Sequence, residues 1–269
     1  PAIRWSRAYH TMIDDSVEEL LKNEGHWRIV DCPEPALIHT GYRPEELASG
    51  NKAERLRWAM EAELQAHPGD PYACAKLGGL EIESGNRSRG LELLQQGLQQ
   101  CRPEQHNERY ELLLHLGIAR SQDDLAEAER CYRQALEQPL AARVNAGARL
   151  NLGALLLRQN RLDEAAAITE AVTRQAPELV LGWYNLGLIQ RKAGRIAEAL
   201  EAYETALQLA PANAELHQNR GAAQLIGGNF DAARESFLTA IGLLLEQGRQ
   251  EEAEELSRRA GEMVNLDAA

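Results

Sequence analysis

An all-α solenoid is the fold class this 269-residue sequence predicts, on three observations. Asn151, Asn185 and Asn219 lie 34 residues apart. Each stands two residues before a glycine (Gly153, Gly187, Gly221) in a segment whose apolar spacing is helical. Pro177 and Pro211 close the second amphipathic stretch of successive segments, again 34 residues apart. A fixed period of that length marks two-helix units that cannot bury their apolar faces alone and therefore stack on their neighbours. Function in such a chain is sought on a repeated surface.

From the N-terminus, residues 1–48 stand outside the repeat frame and form a small mixed segment. Trp5 to Leu21 reads as partly helical, and Trp27-Arg28-Ile29-Val30 and Ala36-Leu37-Ile38-His39 read as short strands. The abrupt opening on Pro1 predicts a fragment of a longer polypeptide. Residues 49–70 read as a linking helix, and residues 71–247 as about five two-helix units. In the first unit Leu77-Gly78 precede Gly85, Gly90, Leu94, Gly97 and Leu98. A helix-interior glycine costs about 0.5–1 kcal/mol relative to alanine, which predicts that this unit is the softest. Leu116-Gly117 with Leu125, Ala128, Tyr132, Ala135 and Leu136 mark the second unit, which runs into an extended link at Gln138-Pro139.

Three units in strict register follow, over Ala146 to Leu179, Val180 to Asn213 and Ala214 to Gln247. In the middle one, Trp183, Leu186, Gly187 and Gln190 share one helix face. Gly194 supplies the stop, because glycine just past a helix end accepts the left-handed cap conformation. Ile196, Ala199, Leu200, Tyr203, Ala206, Leu207 and Leu209 then form the stripe of a second helix that ends at Pro211. Leu152, Gly153, Leu162, Ala165 and Pro177 match these places in the preceding unit, and Gly221, Phe230, Ala233, Phe237 and Ala240 in the following one. Residues 248–269 read as a C-terminal capping helix reaching about Val264, polar-backed as the end of a solenoid must be.

Small, large and proline positions agreeing together over consecutive units resemble the tetratricopeptide repeat, which implies a right-handed superhelix. Arg220 departs from that pattern, standing where leucine is usual. A second resemblance covers about residues 1–100. Ile38, His39, Gly41 and Tyr42, followed by Lys52 and the helix Glu54 to Ala66, resemble the passage from catalytic domain to C-terminal repeats in bacterial family 2 glycosyltransferases. That resemblance implies a nucleotide-sugar and a divalent metal held by an Asp-x-Asp motif, a hard cation between carboxylates and phosphates. Asp14-Asp15 lack the intervening residue, and His10 is followed by Thr11 where the family has glutamate. The catalytic and metal-binding residues are thus expected upstream of Pro1, with none of either, and no cofactor, in this chain. No phosphate loop, nucleophile elbow or zinc-protease helix is found in the sequence.

Composition narrows the remaining classes. With 44% hydrophobic residues the chain can bury a continuous core, and it has no apolar run of the roughly 20 residues a bilayer span requires. A net charge of −12 opposes binding to a nucleic-acid backbone. Cys32, Cys74, Cys101 and Cys131 form no CxxC pair, and Cys101 and Cys131 read as small buried hydrophobes. A cytoplasmic protein whose partners are peptides or proteins is expected.

The candidate site is the face of the first helices. Within the 34-residue frame, positions 2, 6, 9 and 13 share that face, and position 6 reads Lys76, His115, Asn151, Asn185 and Asn219. Asparagine both donates and accepts, so a ladder of them can pair with the backbone of an extended peptide. The ladder resembles that of the O-linked N-acetylglucosamine transferase repeats. The alternative is that these amides bond only to neighbouring helices and stabilise the stack. Arg158 and Lys192 share position 13, with Arg191 beside them, and this basic cluster is expected to attract acidic segments, whereas Arg161 and Arg195 read as a solvated rim. Two whole-molecule readings follow: the C-terminal part of a glycosyltransferase whose groove holds a partner or the acceptor, or a free-standing scaffold or self-association module.

Overall fold

The structure, a computed structural model, describes residue 23 and residues 51–264. The short strands, His10, Asp14-Asp15, Cys32 and the Ile38-His39-Gly41-Tyr42 motif lie outside the described residues. Every element among the described residues is helical, and the chain divides into two compact units, Pro1–Gln138 and Pro139–Ala269. The division falls at the Gln138-Pro139 link.

The first unit contains α1 (Asn51–Ala66), α2 (Pro71–Glu83), α3 (Arg87–Gln100), α4 (His106–Arg120) and α5 (Leu125–Leu136). The second contains α6 (Ala146–Arg158), α7 (Leu162–Gln175), α8 (Val180–Lys192), α9 (Ile196–Leu209), α10 (Ala214–Ile226), α11 (Phe230–Glu246) and α12 (Gln250–Gly261). Five helix pairs result, α2/α3, α4/α5, α6/α7, α8/α9 and α10/α11, and within each unit the first helix of a pair also packs on the first helix of the next.

Helix starts follow from local chemistry. Asp70 accepts from the Ala73 amide at 2.9 Å with Pro71 inside the first turn, and Asn213 accepts from the Leu216 amide at 2.9 Å. The turn after α8 places Gly194 at φ +77°, as its sequence position predicts. At the same place one unit earlier Asn160 takes φ +62°, which a non-glycine residue adopts most readily as asparagine or aspartate.

The core is built by pushing a large side chain of each second helix into a glycine recess on the first. Tyr132 fills the recess at Gly117, Tyr203 that at Gly187, Phe237 that at Gly221 and Leu94 that at Gly78. Tyr132, Tyr203 and Phe237 are fully buried. In α2/α3 further glycines sit in the interface: a Cβ on Gly90 would come within 2.6 Å of Ile82, and one on Gly97 within 2.6 Å of Cys74. Their cost in helix propensity is therefore accompanied by close backbone approach.

α1 packs on α2 as the second helix of a preceding unit would, burying Ala59 and Met60. It leads through His67-Pro68-Gly69-Asp70 into α2, much as Ala210-Pro211-Ala212-Asn213 leads from α9 into α10. Glu81 of α2, fully buried, binds Arg57 of α1 and accepts from Asn86 Nδ2 at 2.7 Å, so its charge is compensated on two sides. Cys74, Cys101 and Cys131 are buried free thiols, and burial is the main cause pushing Cys74 and Cys131 up to about 11. They act as small hydrophobes.

Candidate functional site

Position 6 does different work in the two units. In the first, Lys76 on α2 reaches Glu111 on α4 at 2.7 Å and stands 5.3 Å over the Tyr72 ring. His115 on α4 packs flat into the recess at Gly79, where a Cβ would lie 2.7 Å from its Cε1. Burial pulls its pKa below 6.5, and Lys76 adds to that, while Glu111 and Glu83 oppose it. Both side chains fasten α2 to α4.

In the second unit the three asparagines occupy consecutive first helices, α6, α8 and α10, with α8 touching both neighbours. All three are half-buried, yet their amides are used unequally. Asn151 donates to its own helix at the Gly147 carbonyl, 2.9 Å away. Asn219 donates to the Glu215 carbonyl at 2.9 Å and to the Tyr184 hydroxyl on α8 at 3.2 Å, and its Oδ1 lies 3.5 Å from the Arg191 guanidinium. Asn219 therefore ties α10 to α8. Asn185, between them, has no hydrogen-bond partner among the described residues.

The charged residues sort in a similar way. Lys192 is exposed and donates from Nζ to the Leu157 carbonyl at 2.9 Å, near the end of α6, where the Asn160 amide also donates. Arg158 is exposed at the same position of α6. Arg191 is half-buried beside Tyr184 and Tyr203, makes no ion pair among the described residues, and has its Nε buried without an acceptor. Burial raises the Tyr203 pKa, and the Arg191 cation opposes that rise. Arg161 pairs with Glu164 at 2.7 Å and Arg195 with Asp163 at 2.9 Å, so these two form ion pairs of the rim.

Sequence reading concentrated on positions 6 and 13 and passed over positions 2 and 9 of the same face. There the structure shows an apolar shelf around Asn185: Leu181 is 50% exposed, Leu188 is half-exposed, and Ala154 on α6 is exposed. The frame that groups positions 2, 6, 9 and 13 was the available signal. The arrangement offers an amide donor and acceptor, apolar contact and positive charge, the elements of peptide recognition. Among the described residues no three His, Cys, Asp or Glu side chains are grouped to hold a metal ion, and no helix is long and apolar enough to cross a membrane.

Two family models, both of the tetratricopeptide repeat, match residues 118–179 and 180–213. A TPR repeat-containing protein of Synechococcus elongatus is 40% identical over 178 residues, which is 66% of this chain and 44% of that protein. The chain thus spans less than half the length of that relative. Among solved structures, YrrB, a TPR protein with an unusual peptide-binding site, superposes with a TM-score of 0.55 at 16% identity, over 73% of this chain and 98% of its own. MamA from Desulfovibrio magneticus RS-1 gives a TM-score of 0.57 at 22% identity, over 66% of this chain and 97% of its own. The chain carries tetratricopeptide repeats, in the all-helical solenoid fold of these structures.

Proposed function

We propose that these tetratricopeptide repeats form a protein-interaction module whose second unit binds an extended acidic peptide across α6, α8 and α10. The observation that carries this reading is Asn185, a half-exposed amide with no internal partner at the centre of the face. Its neighbours Leu181 and Leu188 give an apolar side chain somewhere to rest. Lys192, Arg158 and Arg191 supply positive charge along the same face. Asn219, whose amide is engaged by Glu215 and Tyr184, serves chiefly to tie α10 to α8, and Asn151 is turned back onto its own helix at Gly147. Each alternative for the asparagines therefore applies at a different rung. The test starts from 12-residue peptides selected from a random library on the full chain. Enrichment in Asp and Glu is expected, with Asn185→Ala and Leu181→Glu each weakening binding about tenfold. Selected peptides that bind both variants as tightly as the parent would remove the groove assignment.

The finer reading is that the module is the C-terminal part of a glycosyltransferase, its acceptor or partner held by the repeats, working in the cytoplasm. The Ile38, His39, Gly41 and Tyr42 motif with Lys52 supports it. On this reading the nucleotide-sugar and its divalent metal are held by sequence upstream of Pro1. A parent polypeptide with an Asp-x-Asp motif, releasing nucleoside diphosphate from a nucleotide-sugar only with added divalent metal, is the expected result. A parent without that motif leaves the free-standing scaffold.

A further inference from the structure

We infer that the outward face of α11 docks a basic amphipathic helix of a partner protein, on a surface separate from the peptide-binding face. α11 is the only second helix of the second unit with two apolar sides among the described residues. One side, Ala233, Phe237, Ala240 and Leu244, is buried in the core. The other carries Phe230, Leu238 and Leu245, which are 59%, 43% and 52% exposed. At 3.6 residues per turn their spacings of eight and seven confine them to an arc of about 80°, over roughly 22 Å of helix.

The repeat frame shows how unusual this side is. The place held by Leu238 is Glu170 in α7 and Glu204 in α9, paired with Arg174 and Arg220 respectively. The place held by Leu245 is Pro177 and Pro211 in the earlier units, so α11 runs for 17 residues where α7 and α9 have 14. An extended helix that exchanges a paired glutamate for an exposed leucine presents a surface the folding of its own unit does not require.

Charge identifies the occupant. Asp231, Glu235 and Glu246 line the next sector of the helix, all exposed, and none makes an ion pair among the described residues. Gly242 lies in that sector, and a Cβ there would find nothing within 4 Å, so a second backbone can approach closely. The complementary shape is a helix of about four turns with an apolar stripe and Lys or Arg along one edge. Arg234, within the apolar stripe, has its Nε buried without an acceptor, and one acceptor side chain on the partner would satisfy it. A second copy of this chain fits less well, since it would bring an identical acidic row.

The probe is a fluorescein-labelled 18-residue helical peptide of Leu, Ala and Lys with one apolar stripe, compared with a scrambled peptide of the same composition. Titrated into the full chain, the amphipathic peptide is expected to bind, more weakly as salt rises, and the scrambled one about tenfold less tightly. Leu238→Glu restores the residue type of α7 and α9, so helicity by circular dichroism should hold while binding falls about tenfold. The combined Asp231→Asn, Glu235→Gln and Glu246→Gln variant should lose most of the salt dependence, and Asn185→Ala should change nothing. Equal binding of the scrambled peptide, or loss through Asn185→Ala without loss through Leu238→Glu, overturns the proposal. So does a sedimentation profile in which Leu238→Glu turns a dimer into a monomer, because the face would then belong to a second copy.

Discussion

The α6/α7 pair and the α8/α9 pair follow one frame and fill it differently. In α8/α9 the recess at Gly187 receives the Tyr203 ring, whereas in α6/α7 the recess at Gly153 receives Thr169, whose Oγ1 would lie 2.5 Å from a Cβ placed there. The Thr169 hydroxyl is buried without a hydrogen-bond partner, whereas the buried Tyr203 hydroxyl lies beside the Arg191 cation. Phe237 fills the third recess with no hydroxyl at all. The difference teaches that the glycine fixes where two helices meet, while the residue filling it decides how tightly they are held.

The most damaging way to break the contrast is Tyr203→Thr, which gives α8/α9 the filling of its neighbour. A loss of about 3 kcal/mol is expected in denaturant unfolding, from the transfer and cavity terms together. Next come the recess glycines. Gly187→Ala drives a methyl against one side of the Tyr203 ring, 2.4 Å from Cε1, and should cost about 2 kcal/mol, overpacking outweighing the gain in helix propensity. Gly153→Ala meets only a hydroxyl that can rotate aside, and its cost should be less than half as large by the same measurement. Thr169→Val makes the smallest change and the one of opposite sign. Removing a buried, unpartnered hydroxyl at nearly constant shape should raise stability by about 1 kcal/mol, and a fall instead would mean that the hydroxyl has an acceptor after all.

Much of this architecture was legible beforehand, because the 34-residue recurrence of Asn, Gly and Pro in the second unit is imposed by stacking geometry. The turn at Gly194 and the break at Gln138-Pro139 could be read for the same reason: a left-handed cap and a loss of register both leave local traces. The use made of each rung of the asparagine column could not be read. Whether an amide is open depends on partners one helix away, Tyr184 and Arg191 for Asn219 and, among the described residues, none for Asn185. Thr169 stands in the large-residue position of its repeat, and only the neighbouring aromatics show that it is small. The exposed side of α11 was equally hidden, since Phe230 and Phe237 look alike in sequence until the structure sends one outward and the other into the core.

All four cysteines of the sequence precede Pro139, and the three that the structure describes are sealed inside α2 to α5 and the connections between them. A disulfide-exchange reagent such as dithionitrobenzoate can reach them only when that half of the molecule opens. With Cys32 replaced by serine, its colour yield against time therefore clocks the breathing of one half while the other, lacking sulfhydryls, stays silent. The molecule carries its own stopwatch, wired to a single side.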